Sequence, residues 1–152
     1  MRPANRFQPL TTLFRNCLIG FSLAGAAQAD QLTVVIDNIQ SDEGQLRIAI
    51  GGESAYVAPE GGETEPHDVQ VILPAQKGSV RFVTDALPPG KYAVQVFHDE
   101  NGNGELDANF VGMPKEPWGF SNNARGNFGP PKFADTSVEL NGEATITIRV
   151  EK

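Results

Sequence analysis

The apolar residues of this chain recur at every second position, a period that fits strands and excludes long helices. Leu32, Val34 and Ile36 alternate with Thr33 and Asp37, and Leu46, Ile48 and Ile50 alternate with Arg47 and Ala49. Successive side chains of a strand point to opposite faces, so such a run buries one face and wets the other. The pattern returns at Val69, Val71 and Leu73, at Val80 and Phe82, at Tyr92, Val94 and Val96, and from Val138 to Val150. No stretch of helical period exceeds two turns. Turn formers punctuate the runs. Ser41–Gly44 predicts a hairpin between the first two strands, and Asn141-Gly142 predicts another between the last two. Residues 51–67, rich in Gly, Glu and Pro, read as an exposed acidic loop. About seven short strands predict an all-β, antiparallel β-sandwich.

The first 29 residues are of a different kind. Arg2, Arg6 and Arg15 precede an apolar stretch, Cys17 to Ala27, that ends in Ala27-Gln28-Ala29. A basic start, a short apolar run and a small-x-small end predict a cleavable signal peptide, with the cut after Ala29. The apolar stretch is too short to span a bilayer. Residues 30–152 are then the mature domain, soluble, and periplasmic or secreted. Three of the 12 basic residues and none of the 19 acidic ones lie in residues 1–29, so the mature chain stands at −10. That charge disfavours nucleic acid and anionic membrane surfaces as partners, and no membrane insertion follows cleavage. The single cysteine would leave with the leader, so no disulfide braces the domain.

The loop after Phe97-His98 carries oxygen-bearing side chains at alternate positions: Asp99, Asn101, Asn103, Glu105 and Asp107. A tight loop of carboxylates and amides is the kind of donor set that wraps Ca²⁺. Gly104 stands at the sixth place, where an EF-hand has its glycine, but the twelfth place holds Phe110 instead of a bidentate Glu. Missing oxygens would have to come from Glu116, Asp135, a carbonyl or water. The alternative is a hairpin tip with solvated acids, since Asn-Gly occurs twice in succession. No cofactor is required on either reading. With only His67 and His98 left to serve as nitrogen ligands, zinc and copper are disfavoured.

Residues 108–132 alternate little and contain four prolines and four glycines, yet also Phe110, Trp118, Phe120 and Phe128. The aromatics predict an ordered loop rather than a disordered one. Glu116, Trp118, Phe120, Ser121, Asn122, Asn123 and Arg125 are its candidate ligand surface, combining aromatic faces with amides and charges. The competing reading is that Trp118, Phe120, Phe128 and Phe133 only pack the loop onto the sandwich.

Phe82-Val-Thr-Asp-Ala-Leu87-Pro-Pro-Gly90-Lys-Tyr92-Ala-Val resembles the strand–turn–strand of transthyretin-like and collagen-adhesin B-type sandwiches. The stretch from Phe97 through Asp107 continues into Gly112–Glu116, Gly119–Asn123 and Gly129–Phe133. Together these segments closely resemble the exported bacterial domain-of-unknown-function 2141 family. The resemblance spans Asp30 to Lys152 and implies a compact, exported, transthyretin-like Greek-key β-sandwich, with no activity attached. Calcium-binding repeats of bacterial surface adhesins carry a similar loop, matched here by Asp99, Asn101, Asn103 and Asp107, with the later acidic ligand missing. The Tyr-Arg-Gly-Ser ending of transthyretin-like hydrolases is absent; the chain ends Ile148-Arg-Val-Glu-Lys152.

The favoured function is therefore a non-enzymatic extracytoplasmic binding or structural module, its partner a small molecule, a glycan or a protein. One alternative is a small hydrolase that sets His98 beside Ser121, with Asp99 or Glu116 as orienting acid. Another is a subunit that docks into an envelope assembly through an exposed sheet edge.

Overall fold

The computed structural model of the protein describes residues 30–56, 66–127 and 129–152. The predicted signal peptide, most of the 51–67 loop and Phe128 lie outside the described residues. Eight strands follow in order: β1 Gln31–Ile39, β2 Gln45–Gly51, β3 Val69–Pro74, β4 Gly78–Thr84, β5 Gly90–Asp99, β6 Trp118–Phe120, β7 Val138–Leu140 and β8 Glu143–Arg149. One helical turn, α1 (Phe133–Thr136), stands before β7. The strands form two packed sheets, so the chain is an all-β sandwich. One sheet has the order β4-β1-β8; the other runs β3-β2-β5-β6, with β7 continuing the β6 edge of β5.

The alternation explains the core directly. Leu32, Val34 and Ile36 of β1 face Leu46, Ile48 and Ile50 of β2 and Val94 and Val96 of β5 across the interior, all buried. Burying a side chain of this size contributes about 1.5–3 kcal/mol. The pattern breaks once, between Ile36 and Ile39, where the β1–β4 register slips. Asn38 takes φ 67° there and its amide donates to Val150 O (2.8 Å), so both isoleucines face inward. Asparagine accepts this left-handed conformation more readily than most residues.

Both predicted hairpins are corrected. β1 and β2 belong to different sheets, so Ser41–Gly44 carries the chain across the sandwich instead of folding it back in one sheet. Asn141-Gly142 does the same, from β7 on β5 to β8 on β1; only Gly142 has positive φ (91°), which a type I′ hairpin turn does not allow. The pairing is also not wholly antiparallel, because β1 and β8 run parallel over seven residue pairs. An alternating pattern specifies which face is buried, and a strand facing the core from either sheet satisfies it equally.

The two outer faces differ. The three-stranded sheet turns Thr33, Val35, Asp37, Ser79, Arg81, Val83, Thr145, Thr147 and Arg149 outward, with Arg81 donating to Thr33 Oγ1 (3.2 Å). On the five-stranded sheet the outward residues are Ala49, Ile72, Phe97, Trp118 and Phe120, together with Arg47, Gln70 and Gln95. That face is covered in part by the segment after β6, and the uncovered part is the candidate site.

Candidate ligand groove and the Asp99 loop

Strand register arranges the outer face of the five-stranded sheet in two ranks. Ile72, Arg47, Phe97 and Trp118 are paired across β3, β2, β5 and β6; the next rank is Gln70, Ala49, Gln95 and Phe120. At one end, Phe120, Trp118 and Ala93 pack with Tyr56 and Phe133 into a small second core. Tyr56 meets the Phe120 and Phe133 rings edge-on, at 6.2 and 5.8 Å between centroids, and its hydroxyl donates to Pro131 O. Burial raises the Tyr56 pKa; a hydrogen bond with Thr136 opposes the rise and the Asp135 charge adds to it. Beyond this cluster the face is open. It forms a groove of ≈ 1000 Å³ lined by Gly104, Leu106 and residues 111–114 and by Gly126, Asn127, Gly129 and Pro130. Ala49 is the smallest side chain of its floor.

The rim bordering the groove is apolar and rigidly held. Met113, Val111 and Ile72 are 61%, 64% and 55% exposed, and Phe110 beside them is 98% exposed. Asn109 Oδ1 accepts Val111 N and Met113 N (3.0 Å each), which closes the turn that displays these side chains. Trp118 is steadied by Arg125, whose guanidinium lies 4.3 Å from the ring centroid and pairs with Glu151 at 2.7 Å.

The Asp99 loop forms the wall behind Arg47. The Asp99 side chain is fully buried. Its Oδ2 accepts Gln45 Nε2, Arg47 Nε and Gly104 N, each at 2.9 Å, and its Oδ1 accepts Asn103 N at 3.1 Å. Burial alone would raise its pKa. The side chains of Gln45 and Arg47 and the amides of Gly104 and Gly102 overcome that and hold it below the ordinary carboxylate value. Glu116, also buried, closes the loop from beneath: Oε1 accepts Glu100 N (2.8 Å) and Oε2 accepts Asp107 N (3.0 Å).

A carboxyl group with a lowered folded-state pKa contributes stability that is present above its unfolded pKa and lost as pH falls through the folded value. Urea midpoints are therefore expected to fall below about pH 4, and Asp99→Asn is expected to flatten part of that fall. A slope identical in the two proteins would mean that other acids carry it.

The five predicted calcium ligands are brought together, but their donor set does not fit a cation in this arrangement. Asp99 already holds a guanidinium. The amide oxygens of Asn101 and Asn103 accept Asn103 N and Glu105 N, and both amide nitrogens donate to Asp107. Glu105 is exposed. An ion entering the loop would have to displace Arg47, which lies over Gly104 closely enough that a Cβ there would meet Nη2 at 2.9 Å.

Of the seven predicted ligand-surface residues, the structure places Trp118 and Phe120 at the groove and Arg125 behind Trp118. The other four serve the scaffold. Glu116 clamps the loop, and Ser121 is buried, accepting Val94 N (3.0 Å) and donating to Thr136 O (2.5 Å). Asn122 donates to Asp135 O and Ser137 O, while Asn123 donates to Thr147 O and accepts Arg149 N. The predicted hydrolase pair is not assembled. His98 is buried with Nε2 2.7 Å from Glu43 O, and Ser121 sits beside Val94, roughly 13 Å away along β5.

Arg47, Ala49 and Phe97 were not among the expected site residues. The readable signal was an aromatic at 97 and a lone cation at 47, both on the outward phase of an alternating strand.

The model of the family described as "uncharacterized protein conserved in bacteria (DUF2141)" matches residues 34–148, from within β1 almost to the end of β8. The chain belongs to this family. The match takes in both sheets, the Asp99 loop and the groove, so the site lies within the DUF2141 domain itself. No curated protein and no solved structure matches the chain. Among the described residues no helix is long and apolar enough to cross a membrane.

Proposed function

We propose that this DUF2141 domain is a non-enzymatic, extracytoplasmic binding module that takes a ligand in the groove on the outer face of its five-stranded sheet. The observation that carries this reading is the contrast between the two outer faces. One is mainly polar, with Val35 and Val83 interspersed among Thr, Ser, Asp and Arg side chains. The other offers Phe97, Trp118, Ile72, Val111 and Met113 around an open concavity large enough for a small molecule. The signal-peptide pattern of residues 1–29 supports export. The loop that walls the groove is held internally, by Arg47 against Asp99, with no metal required.

The test uses a neutral apolar fluorophore, N-phenyl-1-naphthylamine, and the variant Ala49→Phe, which sets a ring on the smallest position of the floor. Ala49 is only half-buried and outward-facing, so the variant should fold with an unchanged thermal midpoint. The fluorophore is expected to bind saturably and to quench Trp118, the only tryptophan in the chain. Ala49→Phe should weaken it by about tenfold or more, equivalent to about 1.4 kcal/mol. Equal binding to both proteins, or no saturable binding, would overturn the groove as the site.

A further inference from the structure

The groove's polar lining has a consistent character. Its polar and charged members are Arg47, His67, Gln70, Gln95 and Asn127, and no carboxylate lines it among the described residues. The chain as a whole carries 19 acids against 12 basic residues, so a lining with a cation and no carboxylate among the described residues departs from its average. The lining is rich in N–H donors and holds its only strong charge as a cation.

Arg47 is also incompletely paired. A guanidinium has five N–H groups. Arg47 uses Nε–H on Asp99 Oδ2, and no acceptor for its Nη groups is found among the described residues. The contact with Asp99 is therefore lateral and single, which leaves the end-on fork of the two Nη nitrogens for another acceptor. Asp99 is in turn saturated by four N–H groups. Cross-strand register sets Arg47 between Ile72 and Phe97, with Ala49 next on the same face of β2. A cation flanked by apolar walls, with a small floor residue beside it, is complementary to a ligand that has one anionic end and an apolar body.

We propose that the ligand is a single-headed apolar carboxylate, whose two oxygens lie on the Nη fork of Arg47 and whose apolar body lies over Ala49 between Phe97 and Ile72. One fork favours a planar monoanion, which it pairs with bidentately, over a dianion that would need further cations. This inference rests on the groove being the binding site and adds the class of ligand.

Displacement of N-phenyl-1-naphthylamine from the unaltered protein by laurate, dodecanol and dodecylamine tests it. Laurate is expected to displace the fluorophore at a concentration at least about tenfold below either of the others, and the advantage should shrink in high salt. Arg47→Lys keeps the charge but removes the fork, and should reduce the laurate-to-dodecanol advantage severalfold while leaving a salt-sensitive remainder. If that variant misfolds, the comparison of the three amphiphiles on the unaltered protein still decides. Equal displacement by laurate and dodecanol, with Ala49→Phe still weakening fluorophore binding, overturns the ligand class and leaves the groove. Fluorophore binding that Ala49→Phe leaves unweakened overturns the groove and this inference with it.

Discussion

Asp99→Ala is expected to lower the unfolding free energy by about 2–4 kcal/mol, whether calcium or EDTA is present. The substitution removes an acceptor that satisfies four N–H groups at once, from Gln45, Arg47, Asn103 and Gly104. Taking away one partner of a buried pair leaves the other's charge and donors unmatched, which costs more than the pair itself contributes. The lower part of the range applies because Arg47 remains partly exposed and water can reach it. For a domain of this size the thermal midpoint should drop by roughly 8–15 °C. Calcium separates the two ways of reading the loop. A structural ion at 100 times its dissociation constant would add about 2.7 kcal/mol to the native protein and nothing to Asp99→Ala. With Arg47 as the loop's own cation, millimolar Ca²⁺ should leave the native midpoint unchanged. A rise with Ca²⁺ that vanishes in the variant would show that the guanidinium yields to the metal.

The loop also shows where sequence reasoning stops. Oxygen donors at 99, 101, 103, 105 and 107 were visible as a cluster, and the structure does gather them. Their counter-charge comes from Arg47, more than fifty residues earlier and across a sheet register that spacing along the chain does not reveal. The same limit explains the hairpins. Alternation marked every strand from β1 to β5 and both terminal strands, and it put their core-packed apolar side chains on the inward face. It could not say which sheet a strand joins, because Ile36 and Leu46 face the same interior from opposite sides. Phe97 and Arg47 escaped notice for a related reason: the outward phase of a strand reads as solvent, and only a second layer of chain makes it a wall. Trp118 and Phe120 were legible because aromatics in a long Pro/Gly-rich stretch have to pack on something. The structure packs Phe120 in the small second core and sets Trp118 between that core and the groove. Asn122 and Asn123 looked like ligand contacts by residue type. Their positive φ values, 60° and 51°, and their hydrogen bonds to backbone make them turn residues.

Gly44→Ala is expected to be at least as damaging as Asp99→Ala, and it tests the arch that brings β1 and β2 to the site. Gly44 has φ 71°, which costs an L-residue about 1–2 kcal/mol. A Cβ at this position would also stand 2.0 Å from Asp99 O and 2.8 Å from Glu100 Cα and O, all backbone atoms that cannot swing aside. The arch would have to lift away from the end of β5. That movement strains the His98 Nε2 contact to Glu43 O (2.7 Å) and the Ala75 N–H bond to Gly44 O (3.3 Å). Conformational strain and overpacking together should cost about 3–5 kcal/mol. Gly102→Ala is the internal control. Its φ of 74° is almost the same, but nothing lies within 4 Å of its Cβ position, so only the conformational cost of about 1 kcal/mol should appear. Urea unfolding of the two variants separates contact from conformation. A difference of about 2 kcal/mol or more would show that the arch is clamped against β5. Equal losses would mean that the arch can yield, and that the Asp99 loop is anchored by Glu116 and Arg47 without it.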